Sequence, residues 1–236
     1  MDRCAVCPNA HKCLPPDGPD GDILFVGDFP GQPANEKGTV FVGREGEEIN
    51  NHYLPLAGLR RSSSQFVTAI GCLPDTNGHK LDATKAPHLA LLHECAGHRL
   101  PSLIDRRRPP KLLVALGSFA ARVLCPDVDL ERQHGYPTMS VYGIPVFPMY
   151  SPALGLYEPK KMLHIRNDWV RLGQYLRGQL RLPVDDYPDP DYREITTLRE
   201  LDDYYAPDHL TAADTEFTKR KEPYCLTLAQ YPGTGR

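Results

Sequence analysis

Five cysteines in the first hundred residues carry the most specific chemistry in this chain. Cys4 and Cys7 form a C-x-x-C pair, Cys13 follows shortly after, and Cys72 and Cys95 stand further along. The N-terminus shows no apolar signal segment, so we expect a reducing compartment, where this spacing indicates metal or cluster binding rather than disulfides. Four thiolates can hold either a [4Fe–4S] cluster or a zinc ion. Cys13 is a candidate substitute ligand, because the run reads C-x2-C-x5-C.

The Gly-Asp-Phe-Pro-Gly loop at residues 27–31 is the second place where chemistry is expected. It follows an apolar run at residues 23–26, and another apolar run closes at Phe41-Val42-Gly43. A buried strand that runs into Gly and Pro is typical of an α/β sheet that presents a loop at its carboxyl edge, where ligands bind. Asp28 would place a carboxylate in that loop.

The elements that position these residues alternate between strands and helices. The predicted strands are residues 23–26, 65–70, 111–116, 140–142 and 145–149. The predicted helices are residues 45–58, 87–100, 117–124 and 163–180. Such alternation predicts an α/β fold with a mostly parallel sheet.

Composition limits the classes of protein that this chain can belong to. It has 236 residues, 41% of them hydrophobic, and a net charge of -3. That charge argues against a globally basic nucleic-acid binder, although residues 106–108 and 160–161 form local basic patches that can hold phosphates. No apolar run approaches the roughly 20 residues of a membrane helix. We therefore expect a soluble, monomeric, cytoplasmic protein with no membrane partner (host cytoplasm if the source is viral).

The order of these motifs resembles that of the iron–sulfur uracil-DNA glycosylases, family 4 and its phage-encoded, polymerase-associated relatives. The shared blocks are the C-x-x-C pair, the loop at residues 27–31 with residues 41–43, the two later cysteines, Val-Ala-Leu-Gly-Ser at 114–118, and Val-Phe-Pro-Met-Tyr-Ser-Pro at 146–152. The resemblance implies a three-layer fold around a central, mostly parallel sheet. It also implies a structural [4Fe–4S] cluster held by Cys4, Cys7, Cys72 and Cys95.

The resemblance also assigns roles to individual residues. Asp28 and Ser151 match catalytic positions of the family, which has Glu and His there. The base-binding positions are Gly27, Phe29, Gly31, Phe41 and Thr68. The positions near the DNA backbone are Lys160, Lys161, His164 and Arg166.

Three of the polar positions differ from the family pattern, so two functions stay open. Asp28 is one methylene shorter than Glu, Thr68 replaces a uracil-reading Asn, and Ser151 cannot supply an imidazole. One expectation is an enzyme of DNA repair that binds DNA and hydrolyses the N-glycosidic bond of uracil or a modified pyrimidine. The other is an inactive accessory module of a phage DNA polymerase, working in DNA replication.

A separate C-terminal segment is expected beyond the glycosylase-like domain at residues 1–181. A Pro- and Asp-rich linker at 182–193 precedes a short helix at 194–205 and two strands, 210–216 and 223–230, that would pair as a hairpin. Residues 194–236 resemble the start of a family A polymerase 3′–5′ exonuclease domain, whose D-x-E motif matches Asp214 and Glu216. The chain ends at Arg236 before a further acidic motif, so we expect no exonuclease activity from this segment.

Overall fold

A computed structural model describes residues 13–73 and 86–180, residues 197, 199 and 200, and two strands near the C-terminus. The chain divides into two compact units, Met1–Asp186 and Tyr187–Arg236. Cys4, Cys7 and the predicted linker lie outside the described residues, as does most of the helix predicted at 194–205. These predictions therefore stay predictions.

The first unit is organised around a five-stranded sheet. Its strands are β1 (Ile23–Gly27), β2 (Gln65–Thr68), β3 (Leu112–Leu116), β4 (Thr138–Met139) and β5 (Pro145–Met149). The strand order is β2-β1-β3-β5-β4, and all neighbours pair in parallel except β4, which is antiparallel to β5. The predicted α/β fold with a mostly parallel central sheet is confirmed.

Helices cover both faces of this sheet. They are α1 (Gln32–Lys37), α2 (Gly43–Glu48), α3 (Leu54–Leu56), α4 (Ala86–Ile104), α5 (Ser118–Leu124), α6 (Leu130–Gln133), α7 (Pro152–Tyr157) and α8 (Met162–Leu176). A π-helical turn, Ile49–Tyr53, joins α2 to α3, and a 3₁₀ turn, Pro159–Lys161, precedes α8.

Two apolar cores separate the three layers. On one face, Trp169 of α8 stacks between Phe25 of β1 at 5.5 Å and Tyr53 at 5.8 Å. On the other face, α4 and α5 contribute Leu100 and Phe119 to a core with the alternate residues of the same strands. Strands buried on both faces need apolar side chains at every position, and this explains the continuous apolar runs in the sequence.

One predicted strand and several predicted boundaries are wrong. β2 ends at Thr68 rather than at residue 70, and α4 continues to Ile104 rather than ending at residue 100. Residues 140–142 are not a strand, because the hydroxyl of Ser140 accepts hydrogen bonds from the backbone N–H groups of Tyr142 and Ile144 and holds them in a turn. The helix α8 ends at Leu176 rather than at residue 180. Gly178, two residues beyond its end, adopts a left-handed conformation with a φ of 71°. Glycine accepts that conformation without steric cost, so the helix stops there.

The parallel strands end together at one edge of the sheet. Gly27 is the partner of Thr68 on β2 and of Leu116 on β3, and Leu116 is in turn the partner of Met149 on β5. The residues that follow these strands therefore begin their loops side by side. This edge holds the loops that the sequence marks as functional.

The second unit contains an antiparallel hairpin of β6 (Leu210–Phe217) and β7 (Pro223–Tyr231). Asp214 pairs with Thr227 and Glu216 with Cys225 in this register. The predicted hairpin is present, whereas its likeness to an exonuclease stays a prediction. Across the described ranges, no helix combines the length and apolarity needed to cross a membrane.

Candidate active site

Asp28 is the first residue beyond β1, and its carboxyl group is enclosed by the start of α5. Its Oδ1 accepts a hydrogen bond from the backbone N–H of Ala120 at 2.9 Å. Gly117 lies against the same carboxylate so closely that a Cβ there would overlap it, and Gly117 has a φ of 112° that other residues rarely adopt. The Gly at 117 is thus required by both space and backbone conformation.

Burial raises the pKa of Asp28 from 3.8 to about 7. Removal of the carboxylate from water is the largest cause, the N–H groups of Ala120 and Phe119 oppose it, and the nearby charge of Glu45 raises the pKa further. A carboxyl with a pKa near neutrality can exchange a proton at physiological pH, which is what acid–base catalysis requires.

Phe41 is held in a strained conformation beside the same loop. Its φ of 53° is the one positive value among the described non-glycine residues, and its ring lies so close to Gly27 that any side chain there would collide with it. Arg61 fixes this turn by donating hydrogen bonds to the backbone carbonyls of Val40 at 2.9 Å and Phe41 at 3.2 Å. Strain that the surroundings maintain is common at functional sites.

Thr68 ends β2 next to Gly27 and is buried. Its hydroxyl has no hydrogen-bond partner among the described residues, while its carbonyl accepts from Nε of Arg99 at 3.3 Å. A buried hydroxyl without a partner costs about 1–3 kcal/mol. This buried hydroxyl lies at the predicted base-reading position.

Glu45 is a second carboxylate at this edge, and the sequence analysis did not assign it a role. It lies in the first turn of α2, and Ser151 Oγ, after β5, is 3.5 Å from its Oε1. Burial raises the pKa of Glu45, while hydrogen bonds from Ser151 and the backbone of Ala153 oppose the shift. The sequence signal was an acidic residue two positions after the Phe-Val-Gly run.

The remaining predicted base-binding residues have different surroundings. Phe29 packs edge-on against Phe119 at 6.1 Å, on the α4/α5 side of the sheet. Gly31 is exposed and precedes α1 as its N-cap. Two open surface cavities, one of about 250 Å³ beside Tyr136 and one of about 410 Å³ beside Arg106, are lined by none of the predicted site residues. At the candidate site, Phe41 and Thr68 are buried.

The predicted DNA-backbone residues follow the Ser151 loop in one surface region. Lys160, His164 and Arg166 are exposed. Lys161 differs, because its ammonium donates to Glu131 Oε2 at 2.8 Å and to the Tyr150 hydroxyl at 3.0 Å. Three of the four side chains therefore present their charge or ring to solvent, and one is engaged within the protein.

A buried His–Asp pair lies behind this region and was also missed. His134 Nδ1 is 2.8 Å from Asp168 Oδ1, and the His134 ring packs on Tyr150 at 4.3 Å. Burial raises the pKa of Asp168, against the hydrogen bond from His134. The partners are 34 residues apart in sequence, and no motif joins them, so only folding brings the pair together.

Two of the four predicted ligand cysteines lie near the end of β2. Cys72 is buried directly after Gly71, and Cys95 on α4 accepts a hydrogen bond at 3.3 Å from the Gly71 N–H. Elements far apart in sequence thus bring two of the predicted ligands to the same glycine. Within the described ranges, no three His, Cys, Asp or Glu side chains are grouped closely enough to bind a single metal ion.

The enclosed carboxylate of Asp28 and the hydroxyl of Thr68, which has no partner among the described residues, both lie at the carboxyl edge of a mostly parallel sheet. That edge is where α/β proteins commonly bind ligands. The sequence profile of the uracil DNA glycosylase superfamily matches residues 15–173, and the chain belongs to that superfamily.

Several curated relatives carry the name type-4 uracil-DNA glycosylase. The chain is 29% identical to that of Archaeoglobus fulgidus over 178 residues, which cover 70% of this chain and 82% of the relative. It is 23% identical to that of Sulfurisphaera tokodaii over 195 residues, covering 78% and 83%. It is 27% identical to that of Thermotoga maritima over 157 residues, covering 64% and 77%. The predicted resemblance to this superfamily is confirmed, while the phage and polymerase association stays a prediction.

Proposed function

We propose that this chain is a DNA glycosylase that hydrolyses the bond between deoxyribose and uracil or a modified pyrimidine. The observation that carries the proposal is the enclosed Asp28 carboxyl, with its pKa raised to about 7. It lies at the same sheet edge as the unpartnered Thr68 hydroxyl. The relatives' shared name supports the reaction type.

The reaction needs the target base out of the DNA stack, because no side chain can reach its glycosidic bond inside a duplex. Phe41 would stack on the flipped base, and the Thr68 hydroxyl would bind its polar edge. Lys160, His164 and Arg166 would contact phosphates, which position DNA without reading its sequence.

In the hydrolysis step, the C1′–N bond breaks and its electron pair leaves with the base. Ionised Asp28 stabilises the positive charge that develops on the sugar and accepts a proton from the attacking water. That water forms the new C1′–O bond, and the proton taken up by Asp28 returns through solvent to the departing base anion, so the products are an abasic site and the neutral free base. The Ser151 hydroxyl would donate a hydrogen bond to the departing base, at the position where the family pattern has an imidazole.

A [4Fe–4S] cluster is proposed as the cofactor, with Cys4, Cys7, Cys72 and Cys95 as its ligands. The position of Cys72 and Cys95, which both adjoin Gly71, supports this proposal. The cluster would supply cross-links between the N-terminal segment, the end of β2 and α4. No step of the hydrolysis uses it. Residues 194–236 are proposed, on resemblance alone, to be the beginning of an exonuclease fold.

The test uses anaerobically purified protein and oligonucleotides that carry uracil, 5-hydroxymethyluracil, hypoxanthine or thymine. Alkali-sensitive cleavage at one base, lost in Asp28→Asn and retained in Asp127→Asn, is the expected result. Asp127 is a matched control because it is an exposed aspartate away from the site. No cleavage by a cluster-loaded protein that still binds DNA would refute the enzyme and indicate a non-catalytic DNA-binding domain, such as a polymerase accessory.

A further inference from the structure

Arg61 lies in the 3₁₀ turn directly before β2, and its guanidinium contacts two segments that are distant from it in sequence. Its Nε donates a hydrogen bond to Asp17 Oδ2 at 3.0 Å, and its Nη2 donates to the same oxygen. Nη2 also donates to the Val40 carbonyl at 2.9 Å, and Nη1 donates to the Phe41 carbonyl at 3.2 Å. One planar cation therefore joins the segment before β1 to the turn that carries Phe41.

The turn at Phe41 is enclosed on its other sides as well. The Phe41 ring packs edge-on against Phe66 of β2 at 5.5 Å, and the guanidinium carbon of Arg61 lies 4.3 Å from the centre of the same Phe66 ring. A Cβ on Gly46 of α2 would overlap the Phe41 carbonyl oxygen. Because Val40 and Phe41 are buried, their carbonyl oxygens need a donor within the protein, and Arg61 supplies it.

Asp17 sets the orientation of Arg61, because its own position is fixed by the backbone. The N–H of Asp17 donates to the Phe66 carbonyl at 2.8 Å, and the N–H of Phe66 donates to the Asp17 carbonyl at 2.7 Å, which makes an antiparallel bridge. The side chains of Arg61 and Asp17 are 24% and 36% exposed, so solvent screens their ion pair only in part. The backbone bridge thus holds the carboxylate that holds the guanidinium.

The ion pair between Lys111 and Asp22 shows what a pair without such contacts looks like. Its side chains are 78% and 68% exposed, and Lys111 Nζ lies 2.9 Å from Asp22 Oδ2. An exposed pair of this kind contributes little to stability. Arg61 instead reaches a carboxylate and two backbone carbonyls at once, which the fork of a guanidinium allows and the compact ammonium of a lysine does not.

We propose that Arg61, oriented by Asp17, is a positioning residue for base binding, because it maintains the strained turn that holds the Phe41 ring over Gly27. This inference rests on the proposed function, in which Phe41 stacks on the flipped base. Phosphate contacts carry most of the affinity of a protein for DNA. Loss of Arg61 should therefore lower kcat, which depends on the flipped base, and leave KM nearly unchanged.

The first test measures kcat and KM on the uracil oligonucleotide for the wild type, Arg61→Gln, Arg61→Lys and Asp17→Asn. We expect kcat to fall about tenfold or more in both Arg61 variants and less in Asp17→Asn, which keeps the two carbonyl contacts, with KM within about twofold of the wild type. Lys111→Gln is the matched control and should keep both constants. An Arg61→Lys variant with wild-type kcat would overturn the inference.

A double-mutant cycle separates positioning from a merely structural role. Phe41→Ala removes the ring through which Arg61 is proposed to act. We expect the double variant of Phe41→Ala and Arg61→Gln to have a kcat within about twofold of Phe41→Ala alone, because coupled residues are not additive. Losses that multiply in the double variant would show that Arg61 acts independently of Phe41, and this would also overturn the inference.

A second cycle reads the turn without using activity. Phe41→Gly removes both the ring and the strain of the positive φ, since glycine adopts that conformation freely. Arg61→Gln should lower the urea midpoint of the wild type and shift that of Phe41→Gly by about half as much or less; Asp17→Asn takes its place if Arg61→Gln does not fold. Equal shifts in both backgrounds would refute the positioning of the turn by Arg61. A wild type that releases no base would refute the proposed function, and the midpoint shifts would still test Arg61.

Discussion

Asp28→Asn is expected to abolish activity and, at the same time, to stabilise the fold at alkaline pH. In the wild type, the pKa of the folded-state carboxyl is about 7 rather than 3.8. Between these two values the folded state binds the proton and the unfolded state does not, so the free energy of unfolding falls as pH rises. Above about pH 7 the folded state carries the full cost of an ionised carboxylate in an enclosed place.

The size of this effect follows from the pKa. A tenfold change in proton affinity is worth about 1.4 kcal/mol, so the full cost is at most about 4 kcal/mol. The part that develops between pH 5 and pH 8 is at most about 3 kcal/mol. Asp28 keeps some solvent contact, and we expect screening to reduce the measured change to about 1–3 kcal/mol. Asn is isosteric, keeps an acceptor for the Ala120 N–H and has no charge to lose.

Urea unfolding of cluster-loaded wild type, Asp28→Asn and Asp127→Asn at pH 5, 6, 7 and 8 measures this difference. Asp28→Asn should gain stability over the wild type progressively with pH, whereas Asp127→Asn should track the wild type. Activity supplies the second half of the test. The wild-type kcat/KM should rise about tenfold per pH unit below about pH 7, and Asp28→Asn should lose a factor of about 10² or more.

A stability difference that is the same at every pH would refute the raised pKa of Asp28. Full activity of Asp28→Asn would refute its role in the reaction. Loss of activity without the pH-dependent stability gain would mean that Asp28 acts through its geometry alone. It would also show that enclosure does not raise the pKa of this carboxyl.

Three further variants test the neighbouring groups. Thr68→Val removes the unpartnered hydroxyl, so we expect the free energy of unfolding to rise by about 1 kcal/mol. We also expect the ratio of kcat/KM for uracil to kcat/KM for 5-hydroxymethyluracil to fall about tenfold. An unchanged ratio would show that the hydroxyl does not read the base. Glu45→Gln removes a charge that raises the pKa of Asp28, so the acidic limb of the plot of kcat/KM against pH should move to lower pH. An acidic limb that stays in place would count against an electrostatic interaction between Glu45 and Asp28. Lys160→Ala should reduce by about one the slope of the logarithm of the DNA-binding constant against the logarithm of the salt concentration. Lys161→Ala should change this slope less, because the Lys161 ammonium is already paired with Glu131. Equal effects of the two variants would contradict the assignment of Lys160 to the DNA backbone.

Much of the fold could be predicted from local sequence. The apolar runs at 23–26, 111–116 and 145–149 became β1, β3 and β5, because strands buried on both faces are apolar at every position. The turn at 140–142 was mistaken for a strand because its Val and Tyr favour strands, while the decisive hydrogen bonds come from the hydroxyl of Ser140. Local propensity cannot register such a competing side-chain bond.

The candidate site was predictable only where motifs mark it. The Gly-rich loop led directly to Asp28, and the end of β2 led to Thr68 through the family pattern. The sequence did not predict a site role for Glu45, nor the two side-chain pairs Lys161–Glu131 and His134–Asp168. Each depends on segments that are distant in sequence, and an isolated acidic residue or histidine is usually solvated.

The amino-acid sequence by itself determined the alternation of strands and helices, the loop with Asp28, and the supply of cysteines. These are local properties of neighbouring residues, and they are present before the chain folds. Only the tertiary structure decided the raised pKa of Asp28, since that depends on its enclosure by α5 and on the charge of Glu45. The tertiary structure also decided that Cys13 and Cys95 adjoin Gly71. Strand register and helix packing determine which side chains, distant in sequence, are buried together away from water.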